Sequence, residues 1–205
     1  MAQSQIALPL LHSRAGEPDR IVVGSGNRAV ADALAHPETW PFRTAVLAGP
    51  ARSGKSLFAR WFASHTGGGA IDDAQARDET EIFHAWNRAQ EDGYPLLLTV
   101  GERGWDIALP DLRSRMGAAL QLEIGPPDDM MAAELMLSHA EQRGLSLGEG
   151  APAYLVPRME RSYAAIERIV AEIDRLSLER MAPATMSLWR DALEAVQGPE
   201  QGRLL

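Results

Sequence analysis

The run Gly49-Pro50-Ala51-Arg52-Ser53-Gly54-Lys55-Ser56 has the spacing G-x-x-x-x-G-K-[ST], and few short patterns restrict a fold as tightly. Glycines let the backbone curl until its N–H groups converge on phosphate oxygens. A helix starting directly afterwards adds the partial positive charge of its N-terminus. The ammonium of Lys55 is placed to reach β- and γ-phosphates, and the hydroxyl of Ser56 to bind Mg²⁺. A chain of this composition would match by chance on the order of once in a thousand sequences. The basic residues sharpen the point: of 20 Lys and Arg, 19 are Arg, and the single lysine is Lys55. The pattern needs a strand before it and a helix after it, which makes the expected fold α/β with a parallel sheet.

The flanking residues agree. Thr44 to Ala48 reads as a short buried strand, and Lys55 to His65 as a helix whose Leu57, Phe58, Trp61 and Phe62 share a face. Upstream, Ser25 or Asn27 can cap a helix from about Arg28 to His36, stopped by Pro37. Downstream, Gly67-Gly68-Gly69 interrupts the chain before a very short strand, Ala70-Ile71. Glu79 to Gln90 carries Ile82, Phe83, Trp86 and Ala89 on one helical stripe, and Leu96 to Val100 is the clearest buried strand. Pro110 starts a helix toward Met116, and Leu120 to Ile124 alternates as an edge strand does. After Pro126-Pro127 only helical patterns remain: 128–142, 150–158, 162–181 and 185–196. Three segments are expected: a tail over 1–20, an α/β base over 21–126 and a small all-helical domain over 127–205.

Composition excludes several alternatives. With 45% hydrophobic residues in 205, the chain can bury a sizeable core. It has no cysteine, so disulfides, thiol nucleophiles and thiolate metal sites are ruled out. The five histidines, His12, His36, His65, His84 and His139, show no metal-ligand spacing. A net charge of -8 argues against non-specific nucleic-acid binding, which rests on cations at phosphates. No apolar stretch is long enough to span a bilayer, and the first residues lack signal-peptide order. A cytoplasmic protein without a membrane partner is expected.

A phosphate-binding loop also needs an acidic partner at the end of a neighbouring strand. Ile71-Asp72-Asp73 is the candidate: Asp72 to hold Mg²⁺ through water, Asp73 to polarise the attacking water.

Taken together, these motifs resemble the AAA+ ATPases of the bacterial replication-initiator family, DnaA, over nearly the whole chain. Gly49–Ser56 is similar to its Walker A loop and Ile71-Asp72-Asp73 to the end of its Walker B strand. Ile21-Val22-Val23-Gly24-Ser25-Gly26-Asn27 resembles the segment that packs on adenine, and Leu97-Leu98-Thr99 with Gly101-Glu102-Arg103 the sensor I strand and its loop. Leu109-Pro110-Asp111-Leu112-Arg113-Ser114-Arg115 resembles box VII, whose terminal arginine, here Arg115, is the family's arginine finger. Arg161, ahead of Ser162-Tyr163-Ala164-Ala165-Ile166, falls at the sensor II position. The resemblance implies an ADP or ATP site with Mg²⁺. Its nucleotide contacts are Ile21, Val22, Gly49, Ser53, Gly54, Lys55, Ser56, Leu57 and Arg161; its metal ligands are Ser56 and Asp72; its catalytic groups are Asp73 and Arg115.

In the tail, Gln5-Ile6-Ala7-Leu8-Pro9-Leu10 resembles the peptide with which a short member of that family docks on the β sliding clamp. A Gln5 amide suits a pocket rim, Ile6, Leu8 and Leu10 suit apolar pockets, and Pro9 keeps the segment extended. DnaA is the second partner implied, and self-association into a homodimer is a further expectation. The last helices show no helix-turn-helix pattern, so direct sequence-specific DNA binding is not expected. Only 15 residues separate Ser56 from Asp72, where the family usually places an extra strand and helix, so the base is abbreviated. Two other readings stay open: a free-standing P-loop ATPase or kinase, and an adaptor that binds nucleotide without driving hydrolysis.

Overall fold

The computed structural model describes residues 8–9 and 20–198, with side chains from Arg20 onward. The chain divides into two units, 26–125 and a second formed by 1–25 with 126–205. The base boundary expected at residue 21 therefore differs: Ile21 to Ser25 fall with the helical unit. The physical reason is local to that unit. The Ser25 hydroxyl hydrogen-bonds Asp128, and a Cβ on Gly24 would stand 2.8 Å from the Met131 side chain.

The first unit is a parallel α/β sandwich. Its elements are α1 (Arg28–Leu34), β3 (Thr44–Gly49), α2 (Lys55–His65), β4 (Gly69–Ile71), α3 (Glu79–Asp92), β5 (Leu96–Gly101), α4 (Pro110–Ala118) and β6 (Leu120–Glu123). The strands lie in the order β4-β5-β3-β6, all parallel. β3 and β5 occupy the centre because helices cover both faces, and their runs TAVLAG and LLLTVG are apolar on both sides. Val46, Leu96, Leu98 and Val100 pack with Ile82 and Ala89 of α3 and Leu112 and Met116 of α4. α2 contributes Phe58 and Phe62, both fully buried, and Trp40 stacks on Phe62 at 5.1 Å. Trp40 and Trp105 are thus packing residues of this unit. β6 is an edge whose exposure alternates with its Leu-Gln-Leu-Glu sequence.

The short link from α2 into β4 depends on glycine. A Cβ on Gly68 would lie 2.6 Å from the Phe62 ring and 2.7 Å from the Pro95 carbonyl, so no side chain fits between α2 and the strand. α3 begins at Asp78, whose carboxylate accepts the N–H groups of Thr80 and Glu81. α1 ends at Leu34, two residues before the expected stop, and Asn27 occupies its N-cap position without capping through its side chain.

The second unit contains α5 (Asp129–Gln142), α6 (Ala151–Leu155), α7 (Tyr163–Arg180) and α8 (Met186–Gln197). A two-residue ribbon joins β1 (Leu8–Pro9) antiparallel to β2 (Arg20–Ile21). Ile166, Ile169, Val170 and Ile173 form one fully buried stripe of α7 against Met136, Leu155, Leu188 and Ala192. Ser162 caps α7 by accepting from Ala165 N–H, and Asp128 caps α5 by accepting from Met131 N–H. Among the described residues no helix is long and apolar enough to cross a membrane.

Candidate functional site

In the α/β unit, β3 ends at Gly49 and α2 opens at Lys55, so the glycine-containing loop turns at the C-terminal end of a central parallel strand, where such sheets leave a crevice. The loop turns through left-handed backbone at Arg52 (φ 66°) and Gly54 (φ 89°); glycine adopts this region without a Cβ penalty. No side chain caps α2 and its first turn holds no acidic residue, which leaves its leading N–H groups for an anion. Ser56 and Leu57 follow Lys55 in that turn, both half-buried.

Lys55 Nζ donates to the carbonyls of Gly49 and Pro50, each at 2.7 Å. Burial lowers its affinity for the proton, while Asp72, Asp73 and Glu102 act in the opposite direction. The lysine thus sits within the field of the two expected acids and of one more, Glu102. Ser53 is buried, and its Oγ has no hydrogen-bond partner among the described residues. That hydroxyl lies 3.1 Å from where a Cβ on Gly49 would stand, and Ile124 would press from the other side at 3.0 Å. Gly49 keeps this cradle open. An unmatched buried hydroxyl, an uncapped helix start and a lysine resting on loop carbonyls fit a phosphate group.

β4 carries the acids. Its register sets Ile71 opposite Leu98, which brings Asp72 beside Thr99 on β5. Thr99, buried at 1% exposure, donates its hydroxyl to Asp72 Oδ1 at 2.6 Å and accepts the Asp73 N–H at 2.9 Å. One hydroxyl therefore fixes both ends of the Asp-Asp pair. Asp73 takes left-handed backbone (φ 57°) and is exposed, with its carboxylate accepting from the Gln75 amide. Among the described residues no cluster of three or more His, Asp or Glu could hold a metal alone. A magnesium ion bound with phosphates takes one or two protein oxygens and keeps several waters, the number that Ser56 and Asp72 can supply.

Arg115 lies on α4 in the same unit. Glu79, at the start of α3, accepts the N–H groups of Ala108 and Leu109 at 2.9 and 2.6 Å and so fixes where α4 begins. Leu112 and Met116 then bury one face of α4, and Arg115 turns to α3. Its guanidinium stands 4.1 Å from the Phe83 ring centroid and 4.2 Å from that of Trp86, and donates to Asn87 Oδ1. Arg115 is half-buried, and among the described residues its polar and ring contacts are with α3. Thr99 lies in the segment that resembles sensor I, whereas Phe83, Trp86, Asn87 and Glu79 are site-shaping residues that the sequence pattern does not single out. Phe83 and Trp86 read there as core stripe.

Ile21, Val22 and Arg161 belong to the helical unit. Ile21 and Val22 are buried. Arg161 pairs with Asp129 at 2.8 Å, both side chains 59% exposed. Beside it, hydrogen bonds from Ser25 and the Met131 N–H hold the Asp128 carboxyl below its ordinary range. Burial, reinforced by Asp128, pushes the Tyr163 hydroxyl up to about 12. Of the tail motif, Leu8 and Pro9 form β1, while Gln5, Ile6 and Leu10 lie outside the described residues.

No protein-family model matches the chain. Solved structures do. Domain III of the Thermotoga maritima replication initiation protein DnaA aligns with a TM-score of 0.69 at 14% identity, covering 87% of this chain and 95% of that one. The chain has the AAA+ fold. The T. maritima RuvB Holliday junction branch migration motor aligns at 0.62 and 18% identity, covering 87% and 73%. AMPPCP-bound DnaA from Aquifex aeolicus aligns at 0.62 and 15%, covering 83% and 66%. At these identities the likeness establishes an AAA+ α/β base and a helical C-terminal part.

Proposed function

We propose that this AAA+ chain is a nucleotide-binding negative regulator of replication initiation of the Hda type. It binds ADP or ATP with Mg²⁺ at Gly49–Ser56, with Lys55 on the phosphates, Ser56 and Asp72 toward the metal, and Ile21, Val22, Leu57 and Arg161 toward the rest of the nucleotide. Residues 5–10 tether it to the β sliding clamp. Arg115 enters the ATP site of a neighbouring DnaA and activates hydrolysis there. Two findings support the nucleotide part: the P-loop geometry, and an AMPPCP-bound DnaA among the structures with this fold.

The observation that carries the regulatory part is Arg115 itself. It is half-exposed, and its guanidinium rests on Phe83, Trp86 and Asn87 of α3, contacts it would exchange for a neighbour's phosphate. Delivered to a neighbour's γ-phosphate, a guanidinium stabilises charge on the transferring group, and such arginines contribute roughly 10³–10⁵ in rate. Asp73 serves the chain's own site, where hydrolysis is slow beside the reaction stimulated in DnaA.

The test is turnover of radiolabelled DnaA–ATP with the clamp loaded on DNA, comparing the intact protein with the double variant Gln5→Ala, Leu8→Ala. Turnover should collapse in the variant and return when it is supplied at high concentration. Equal turnover would remove the tether. Fast ATP hydrolysis by the chain alone, abolished by Lys55→Ala and indifferent to loss of residues 1–11, would favour a free-standing ATPase.

A further inference from the structure

β4 is one of the two edge strands of the sheet and, among the described residues, pairs only with β5. It is three residues long, Gly-Ala-Ile, with no charge of its own. The Gly69 N–H donates inward to the Pro95 carbonyl at 2.8 Å. Parallel ladders alternate, so the N–H and C=O of Ala70 point outward. A cleft of about 270 Å³ runs along this edge, floored by Ala70, Ile71 and Ile82, walled by α3 and reaching Asp72 at one end. The cleft flank of α3 carries Glu81, Ala85 and Arg88, opposite the flank that holds Arg115. Arg88 and the Glu81 carboxylate are exposed and have no ion-pair partner among the described residues.

Natural sheets blunt such edges by keeping the strand short, by placing charges on it or by covering it with a helix or loop. Here the strand is uncharged and the charges stand on the neighbouring helix, in an order that complements itself. An antiparallel pair of edges is related by a two-fold axis perpendicular to the sheet. Centred on Ala70, two copies of β4 exchange two backbone hydrogen bonds, the Ala70 N–H of each to the Ala70 carbonyl of the other. The axis keeps both α3 helices on the same face and runs them antiparallel. The small Ala85 then lies near the crossing, and Glu81 of one copy stands opposite Arg88 of the other, twice. An acidic peptide in the cleft would meet Glu81, and a basic one Arg88 and Arg77. A second copy satisfies both signs.

We propose that the β4 edge and the Glu81-Ala85-Arg88 flank of α3 form an isologous interface through which two copies of this chain join their sheets. The cleft shares Asp72 with the nucleotide reading, so the interface is tested without added nucleotide or Mg²⁺; it leaves Arg115 on the opposite flank of α3 in each copy.

Sedimentation velocity of the full chain tests this. Its monomer mass is 22.3 kDa, and a species of twice that mass should accumulate as concentration rises to roughly 100 μM. Glu81→Arg alone and Arg88→Glu alone should each weaken association about tenfold or more, since each sets like charges face to face. Mixing the two single variants should restore association as a heterodimer, and the charge swap Glu81→Arg, Arg88→Glu should restore it within one chain. Ala70→Pro should abolish it with the fold intact, because the lost N–H faces away from β5. A chain that stays monomeric throughout overturns the proposal. So does a dimer that ignores Ala70→Pro, or single charge variants that fail to rescue each other. A monomer that binds a glutamate-rich peptide or an oligothymidylate in the cleft would assign the edge to another partner and also overturn it.

Discussion

Lys55 and Thr99 are the two residues on which the base site turns, and they act differently. Lys55 makes two charge-assisted bonds to loop carbonyls, which a phosphate would replace. Removing a charged hydrogen-bonding partner costs about 1.5–3 kcal/mol, so Lys55→Ala should weaken nucleotide binding about 10- to 100-fold in a calorimetric or fluorescence titration, with little change in melting temperature. Thr99 is structural and electrostatic together. Thr99→Val keeps its shape but strands the Asp73 N–H and one oxygen of Asp72. Chemical denaturation should register a loss of about 1–3 kcal/mol, and the Mg²⁺-dependent part of nucleotide affinity should fall with it. Thr99→Ser, which keeps the hydroxyl, should recover most of both. Lys55 was legible because the pattern needs a lysine at that position. Thr99 was legible only as part of the segment that resembles sensor I; its two hydrogen bonds depend on the register that sets it beside Asp72.

Secondary structure was legible wherever local chemistry decides it. Asp128 and Ser162 announce helix starts, and Pro-Pro at 126–127 and the glycines at 67–69 mark breaks that the structure keeps. The stripe of α3 was legible: Ile82 and Ala89 are buried in the core, and Phe83 and Trp86 pack against it partly buried. That the same two rings also cradle Arg115 depends on where α4 packs. The start of α5 makes its own prediction. The fold favours the protonated Tyr163 hydroxyl, which ionises near 12 rather than at its ordinary 10.0. Its contribution to stability is therefore complete below pH 10 and is lost as pH climbs toward 12. A spectrophotometric titration of the three tyrosines should show one late phase, removed by Tyr163→Phe. Asp128 has the opposite sense: its depressed carboxyl stabilises the fold above the ordinary value and ceases to do so as pH falls below it. Asp128→Ala should cost about 1 kcal/mol as a lost cap.

At the scale of the molecule, the α/β base and the helical C-terminal part follow from the order of motifs. Ile21–Ser25 group with the helical unit, since their partners, Asp128 and Met131, lie about a hundred residues further along the chain. The short span between Ser56 and Asp72 has a structural consequence as well: β4 becomes an edge. Within its own fold Arg115 is held by Phe83, Trp86 and Asn87, and the regulatory reading depends on that arginine leaving these contacts to act outside its own chain. Single-turnover hydrolysis of labelled DnaA–ATP, with clamp on DNA and either the intact protein or Arg115→Ala, measures this directly. The variant should keep its nucleotide affinity and its clamp binding, and stimulated hydrolysis should fall by roughly 10³-fold or more, to the rate of DnaA alone. Stimulation by Arg115→Ala at the level of the intact protein would contradict the account.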